Sequence, residues 1–278
     1  MSLSLYQRAA LEVVVAGIAA GVIGVHIVLR RLQFFTVALA HATFPGVVVA
    51  YWLGVLPLIG ALGFGWLAVG LLIVLTRLKQ VDGSAIVGVL LAGSFGLGVL
   101  LQGMQPRPTL DLASILTGHI VATSTTDVVT SIVVAVIVLV TLALFHRELV
   151  FTAFDPLAAQ AQGYRRWLDV VLLLAVEAVI ITTLPAMGTV LAVALAIVPA
   201  MSARLWTDRV GSTIALSAGI GAASGLVGLV ASDHLRVATG AMIALVTGGV
   251  FAVSWVLAPH GWRAQRPRRV ALSPTPGR

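Results

Sequence analysis

The stretch Phe34 to Leu53, FFTVALAHATFPGVVVAYWL, decides the fold of this chain. Twenty residues at about 1.5 Å each cover the roughly 30 Å hydrocarbon core of a bilayer, so an apolar run of this length reads as a membrane-crossing helix. Its middle holds one imidazole, His41, and an ionisable residue inside a membrane is a functional hypothesis by default. Pro45 follows four residues later. A proline has no N–H for the carbonyl four residues back, so His41 sits beside a spare backbone acceptor and Pro45 is the expected kink.

Outward from this stretch the pattern repeats. Apolar runs of similar kind occupy about Leu11 to Leu29, Leu56 to Leu75, Ser84 to Met104, Val128 to Phe145, Leu168 to Leu184, Met187 to Met201, Ser212 to Ser232 and Val237 to Ala258. The sixth and seventh runs of the chain are short and separated only by Pro185 and Ala186, so the count is eight or nine crossings. The fold class is an all-α polytopic membrane protein. Composition agrees: 59% of the 278 residues are hydrophobic and 10% charged, far from the soluble average.

The basic residues test the count, because cytoplasmic loops collect Lys and Arg. With nine crossings, all of the 17 except Arg8, Arg107 and Arg236 fall on one side. The expected location is therefore the plasma membrane of a prokaryote, with the N-terminus outside and the C-terminus in the cytoplasm. The net charge of +7 tracks these loops rather than a basic patch on a soluble module, which excludes nucleic acid as a partner. No cysteine is present, so there is no disulfide framework, thiolate metal site or cysteine nucleophile.

Residues 1–260 read as a single transmembrane domain, and 261–278 as a basic, proline-rich, disordered cytoplasmic tail. The longest connections are Gln105 to Asp127 outside and Arg147 to Trp167 inside. The outer one has an apolar patch around Leu110 to Leu116 that suits a short interfacial or re-entrant helix. Glycines at Gly93, Gly96 and Gly98, and at Gly219, Gly221 and Gly225, read as helix-packing surfaces and not as phosphate loops.

His41 lies about eight residues, or ~12 Å, from the cytoplasmic edge of its helix. Two readings stay open: a metal or proton site on a central path, or a packing histidine bonded to a neighbouring helix. Glu177 lies at a matching depth, ~13 Å into the run Leu168 to Leu184. A charged carboxylate there costs on the order of 2.5 kcal/mol to insert unpaired, so it must be neutral, paired or in a wet cavity. It is either a ligand or proton-linked gate facing His41, or a neutral residue bonded to a carbonyl. His26 reads as structural. Asp233 and His234 close a span on the outer side, as an outer mouth or a solvated helix end, and Asp111 and His119 belong to the same surface. No catalytic or nucleotide-binding motif is present, so the chain is not read as an enzyme and any ATP must be bound by another subunit.

Three stretches carry a family resemblance. VLRRLQFFTVALAHATFPGVVVA, FDPLAAQAQGY (Phe154 to Tyr164) and MGTVLAVALAIVPAMSARL (Met187 to Leu205) resemble segments of the ABC-3 family, the permeases of manganese, zinc and iron ABC importers. The resemblance implies the importer permease fold and a divalent transition metal as cargo, with no permanently bound cofactor and ATP on a partner subunit. It implies an ABC ATPase, an extracytoplasmic solute-binding protein and a second copy of the chain as partners, beside the lipid bilayer. It places coupling to the ATPase at Ala200, Met201, Ser202, Ala203, Arg204, Leu205, Trp206, Thr207, Asp208 and Arg209, expected as a short cytoplasmic helix. A second cytoplasmic segment is marked by Phe154, Asp155, Pro156 and Gly163.

The site itself departs from the family pattern GDALSHA, in which an Asp four residues before the histidine shares its helix face. Here that position is Val37, and Glu177 is the candidate for the missing carboxylate. An acidic residue of a D-x-P-S-G turn is replaced by Arg236. An altered cargo, such as a chelated metal, and a self-contained proton-linked transporter using His41 and Glu177 stand as the alternative readings.

Overall fold

Ser4 opens the first helix by a reciprocal cap. Its hydroxyl accepts from the Gln7 N–H at 3.3 Å, and the Gln7 side chain accepts from the Ser4 N–H at 2.9 Å. From there the computed structural model describes residues 4–76, 82–104, 118, 120, 123–163 and 165–262. The helices run α1 (Leu5–Leu29), α2 (Gln33–Ala42), α3 (Phe44–Leu53), α4 (Pro57–Leu75), α5 (Gly83–Gly103) and α6 (Thr125–Leu144). After them come α7 (His146–Phe154), α8 (Pro156–Ala161), α9 (Arg165–Arg204), α10 (Val210–Leu235) and α11 (Thr239–Leu257).

Eight stretches among the described residues are long and apolar enough to cross a membrane, with α2 and α3 together forming one of them. Their burial sorts them into two groups. The richest windows of α1 and α9 are 72% buried, whereas those of α4, α5, α6 and α11 are 22–28% buried. Hence α1 and α9 form the centre, with α2–α3 nearly as buried at 67%, and α4, α5, α6, α10 and α11 turn apolar faces outward, as lipid-facing helices do.

The centre is packed by small residues. Gly17 of α1 meets the backbone of Gly221 in α10 closely, since a Cβ built on Gly17 would stand 2.7 Å from the Gly221 carbonyl. One turn on, the Ser217 hydroxyl donates to the Gly21 carbonyl at 2.7 Å. Contact of this kind holds membrane helices together without a hydrophobic drive. Gly221 and Gly225 are thus packing glycines as expected, while Gly93 and Gly96 face open space.

The longest helix, α9, is a hairpin. Forty residues in a straight helix would reach about 60 Å, twice the hydrocarbon thickness. Yet Asp169 near its start and Arg204 at its end line one cleft with Arg30. Midway, the Thr182 carbonyl stands 3.4 Å from the Ser131 hydroxyl, which bonds Glu12 in the opposite half of α1. The chain reverses at Gly188, where φ is 72° and ψ 170°. The two short runs expected around Pro185 and Ala186 are therefore the two arms of this hairpin.

The expected short helix at Ala200 to Arg209 does not form as an element of its own. Ala200 to Arg204 are the last turn of α9, and Leu205 to Arg209 form a non-helical connector into α10, too short for a hydrogen-bonded helix. His260 pins this connector: its N–H donates to the Leu205 carbonyl at 3.1 Å and its ring lies 3.1 Å from the Asp208 carboxylate. The apolar patch around Leu110 to Leu116, with Asp111 and His119, lies outside the described residues, as does the expected tail beyond Trp262.

Candidate functional site

His41 closes α2, and Thr43 separates it from α3. The break follows from Pro45, the second residue of α3, which withholds the N–H that a continuous helix needs. Thr43 fills the gap with its own groups: its backbone N–H points to the His41 carbonyl, and its hydroxyl donates to the Ala40 carbonyl at 2.9 Å. The expected kink is in place, and the spare acceptor is covered locally.

The faces of α2 differ. Thr36, Ala38, Leu39, Ala40 and Ala42 are buried, whereas Val37 and His41 are half-buried and Phe34 is 73% exposed. Residues 34, 37 and 41 lie on one side of a helix, so the imidazole occupies a face that the rest of this chain leaves partly open. Its ring meets Phe95 of α5 edge-on, with centroids 5.8 Å apart, and Phe95 also packs on Phe44. Aromatic neighbours orient an imidazole without consuming its lone pair. Among the described residues no group of three His, Cys, Asp or Glu comes together as a metal cage. The face offers one neutral nitrogen ligand per chain, and Val37 adds nothing to it.

Glu177 packs on α4. It is fully buried in the first arm of α9, with its carboxylate pressed against Gly65 of α4, where a Cβ would stand 2.3 Å from Oε1. Neither oxygen has a hydrogen-bond partner. The structure therefore does not pair Glu177 with His41 by a hydrogen bond, and it leaves both carboxylate oxygens unengaged. A second buried carboxyl, Glu12 of α1, escapes sequence reading because it falls at the edge of its apolar run. Since α1 begins at Leu5, Glu12 is in fact two turns inside, bonded to Ser131 at 2.7 Å.

Asp233 and His234, expected on the outer side, are exposed at the end of α10, beside Arg236, whose left-handed backbone (φ 55°) caps the helix. His26 is buried, with its ring 6.0 Å from that of His146.

The segment marked by Phe154, Asp155, Pro156 and Gly163 is built as its sequence dictates. Asp155 separates α7 from α8 and accepts from the Ala158 N–H at 2.9 Å, capping α8, while Pro156 supplies the first helical residue. Gly163 turns the chain away with φ 78°. Phe154 and Leu157 of this pair are 65% and 78% exposed. Between the pair and the bundle lies a cleft of about 1310 Å³, lined by Arg30, Arg31, Thr152, Asp169 and Arg204 among others.

A family model described as the ABC 3 transport family matches residues 2–258. The manganese transport system membrane protein MntC of Listeria monocytogenes is 33% identical over 93% of this chain and 92% of its own length. The zinc transport system membrane protein TroC of Treponema pallidum is 31% identical over 96% of this chain and 94% of its own. Among solved structures, PsaBC from Streptococcus pneumoniae, in complex with Fab, matches with a TM-score of 0.84 at 32% identity, covering 93% of this chain and 94% of that one. An inward-facing putative metal-chelate type ABC transporter matches with a TM-score of 0.72 at 16% identity over 89% and 84%, a likeness of fold alone.

Proposed function

Because this chain belongs to the ABC 3 transport family, as a multi-pass permease subunit whose ATPase is a separate chain, we propose that it imports a divalent transition-metal ion, manganese or zinc. The observation that carries this reading is the match over nine-tenths of the chain to permeases named for manganese and zinc. His41 on the half-open face of α2 is the ligand, suited to a first-row cation through its neutral nitrogen. The open face suits a second copy, which would bring two such imidazoles to one axis. An extracytoplasmic solute-binding protein delivers the ion. The chain crosses nine times, with both arms of α9 as passes, from an outer N-terminus to a cytoplasmic C-terminus. The self-contained proton-linked alternative falls with the family, whose ATPase is a separate subunit.

Stimulation of ATP hydrolysis tests the cargo. In the reconstituted complex with its ATPase and binding protein, manganese or zinc is expected to raise hydrolysis several-fold over the metal-free rate. Val37, in place of a carboxylate, favours one rival, the import of a chelated metal or other small solute. Silence toward free manganese, zinc and iron, with a response to a metal chelate, would establish that rival instead.

Glu177 remains the carboxylate candidate on the strength of its two unengaged oxygens. Glu177→Gln keeps size and shape but removes the anionic ligand. It is expected to raise the metal concentration for half-maximal stimulation about tenfold, or roughly 1.4 kcal/mol. An unchanged value ends its assignment to the site.

A further inference from the structure

The cytoplasmic pair α7–α8 stands over the 1310 Å³ cleft, with Phe154 at its rim and Leu157 78% exposed, and it touches the bundle at few points. One is apolar: Leu149 of α7 is fully buried in the core. Another is the edge-on contact of His146 with His26. The third is a polar clamp one turn further along α1. The Arg30 guanidinium donates to the Asp169 carboxylate near the start of α9, to the Thr152 hydroxyl, and to the Leu149 carbonyl at 3.3 Å. One planar group thus gathers α1, α7 and α9, and its side chain is only 8% exposed. The fixed fork of a guanidinium holds acceptors on different elements in one geometry, which the point charge of a lysine does not do.

What lies on the other side of Arg30 is short and stiff. Arg31 turns with φ 57°, and its N–H donates to the Val28 carbonyl at 3.2 Å. The Leu32 N–H donates to the Ile27 carbonyl at 2.9 Å, and the Thr36 hydroxyl returns to the Leu32 carbonyl at 3.0 Å. Helix α2 begins at Gln33, so the helix that ends in His41 starts three residues after the clamp. A displacement of α7 pulls on Arg30, and the bonded turn passes it to α2 as a rigid shift.

We infer that Arg30 is a positioning residue that transmits movement of α7–α8 to the His41 helix. The inference rests on the reading of this chain as an ATPase-driven permease, with α7–α8 as a second element, beside Ala200 to Arg209, that the ATPase moves. It concerns this link alone and holds for any cargo.

The natural chain has no cysteine, so one introduced at Phe34, 73% exposed in the first turn of α2, carries a spin label without competition. The measurement is the change in its spectrum when ATP is added to the complex of chain and ATPase in lipid vesicles, with hydrolysis recorded in parallel. The parent complex is expected to show a clear change. Arg30→Met is expected to keep hydrolysis within about twofold while the ATP-dependent change shrinks at least about fivefold. Thr152→Val, which removes one of the three acceptors found among the described residues, gives an intermediate loss and decides the matter if Arg30→Met fails to assemble. Arg30→Lys is expected to resemble Arg30→Met, because charge without the fork does not hold the clamp. A full response in Arg30→Met, in Arg30→Lys, or in Thr152→Val overturns the inference, as does a parent complex that hydrolyses ATP with a silent label. Those results leave the importer assembly standing, whereas a chain that binds no ATPase defeats the assembly reading and the inference with it.

Discussion

Replacing His41 by alanine is expected to bring metal-stimulated transport to background, a loss of at least about a hundredfold, while the permease still assembles with its ATPase. The reason is how little else its face offers. Along α2 the partly open positions are Gln33, Phe34, Phe35, Val37 and His41, and only the last carries an imidazole, the others adding at most the weak amide oxygen of Gln33. A site that keeps a carboxylate beside its histidine has charge in reserve, but one with valine there does not, so the imidazole carries a larger share of the binding free energy. A hundredfold loss corresponds to about 2.7 kcal/mol. The structural cost is smaller. His41 is half-buried and meets Phe95 by a single edge contact, worth about 0.5–1.5 kcal/mol, so the helix stands without it. The two effects separate experimentally: uptake and metal-stimulated hydrolysis report the first, thermal stability and co-purification the second. Val37→Asp is the converse variant. One turn before His41 on the same face, its carboxylate is expected to lower the half-saturating manganese concentration about tenfold. Transport by His41→Ala at the parent rate would remove the α2 face from the path.

What the amino acids announced, and what they did not, follows from which forces are local. Long apolar runs mark helices in lipid because the backbone must satisfy itself there, so every expected run in the described residues corresponds to a helix or to one arm of α9. The His41 and Pro45 break was legible because proline acts on its own neighbours. So was the build of α8, where Asp155 caps and Pro156 leads. The helix expected at Ala200 to Arg209 failed for the opposite reason. A basic, amphipathic spacing there does not reveal that α9 runs on to Arg204, leaving a five-residue connector tied to His260. The placement of Glu177 against Gly65, and of Glu12 against Ser131, depends on helices distant in sequence, and no local pattern carries that information. The Arg30 clamp is of the same kind: the paired arginines read as a positive-inside signal, and only the fold shows that one of them holds three elements together.

Gly188→Ala is the second substitution with a large expected effect. At φ 72° and ψ 170° this residue occupies a backbone region that is essentially closed to side-chain-bearing residues, at a strain of about 1–3 kcal/mol. It is also where the central helix α9 reverses, so the strain cannot be shed without re-aiming both arms. Gly118 packs against this turn, since a Cβ on it would stand 2.4 Å from the Gly188 nitrogen. Applied to a chain of this size, that strain lowers the temperature of half-inactivation in detergent by about 3–9 °C. Gly70→Ala serves as the control: Gly70 lies inside α4 with nothing within 4 Å of a built Cβ, so alanine there is expected to be neutral or slightly stabilising. Transport separates strain from simple loss of stability. If the reversal only holds the arms together, Gly188→Ala assayed well below its inactivation temperature transports at the parent rate. If it sets the angle between the arm that carries Glu177 and the arm that ends at Arg204, uptake per ATP hydrolysed falls even where the protein is fully folded. The second outcome is expected, because the two arms line one cleft with Arg30 and each packs on α1 within its inner turns, at Asp169 and at Ala200. Equal inactivation temperatures for Gly188→Ala and Gly70→Ala would show that the turn tolerates a side chain and that the hairpin is set by something other than this glycine.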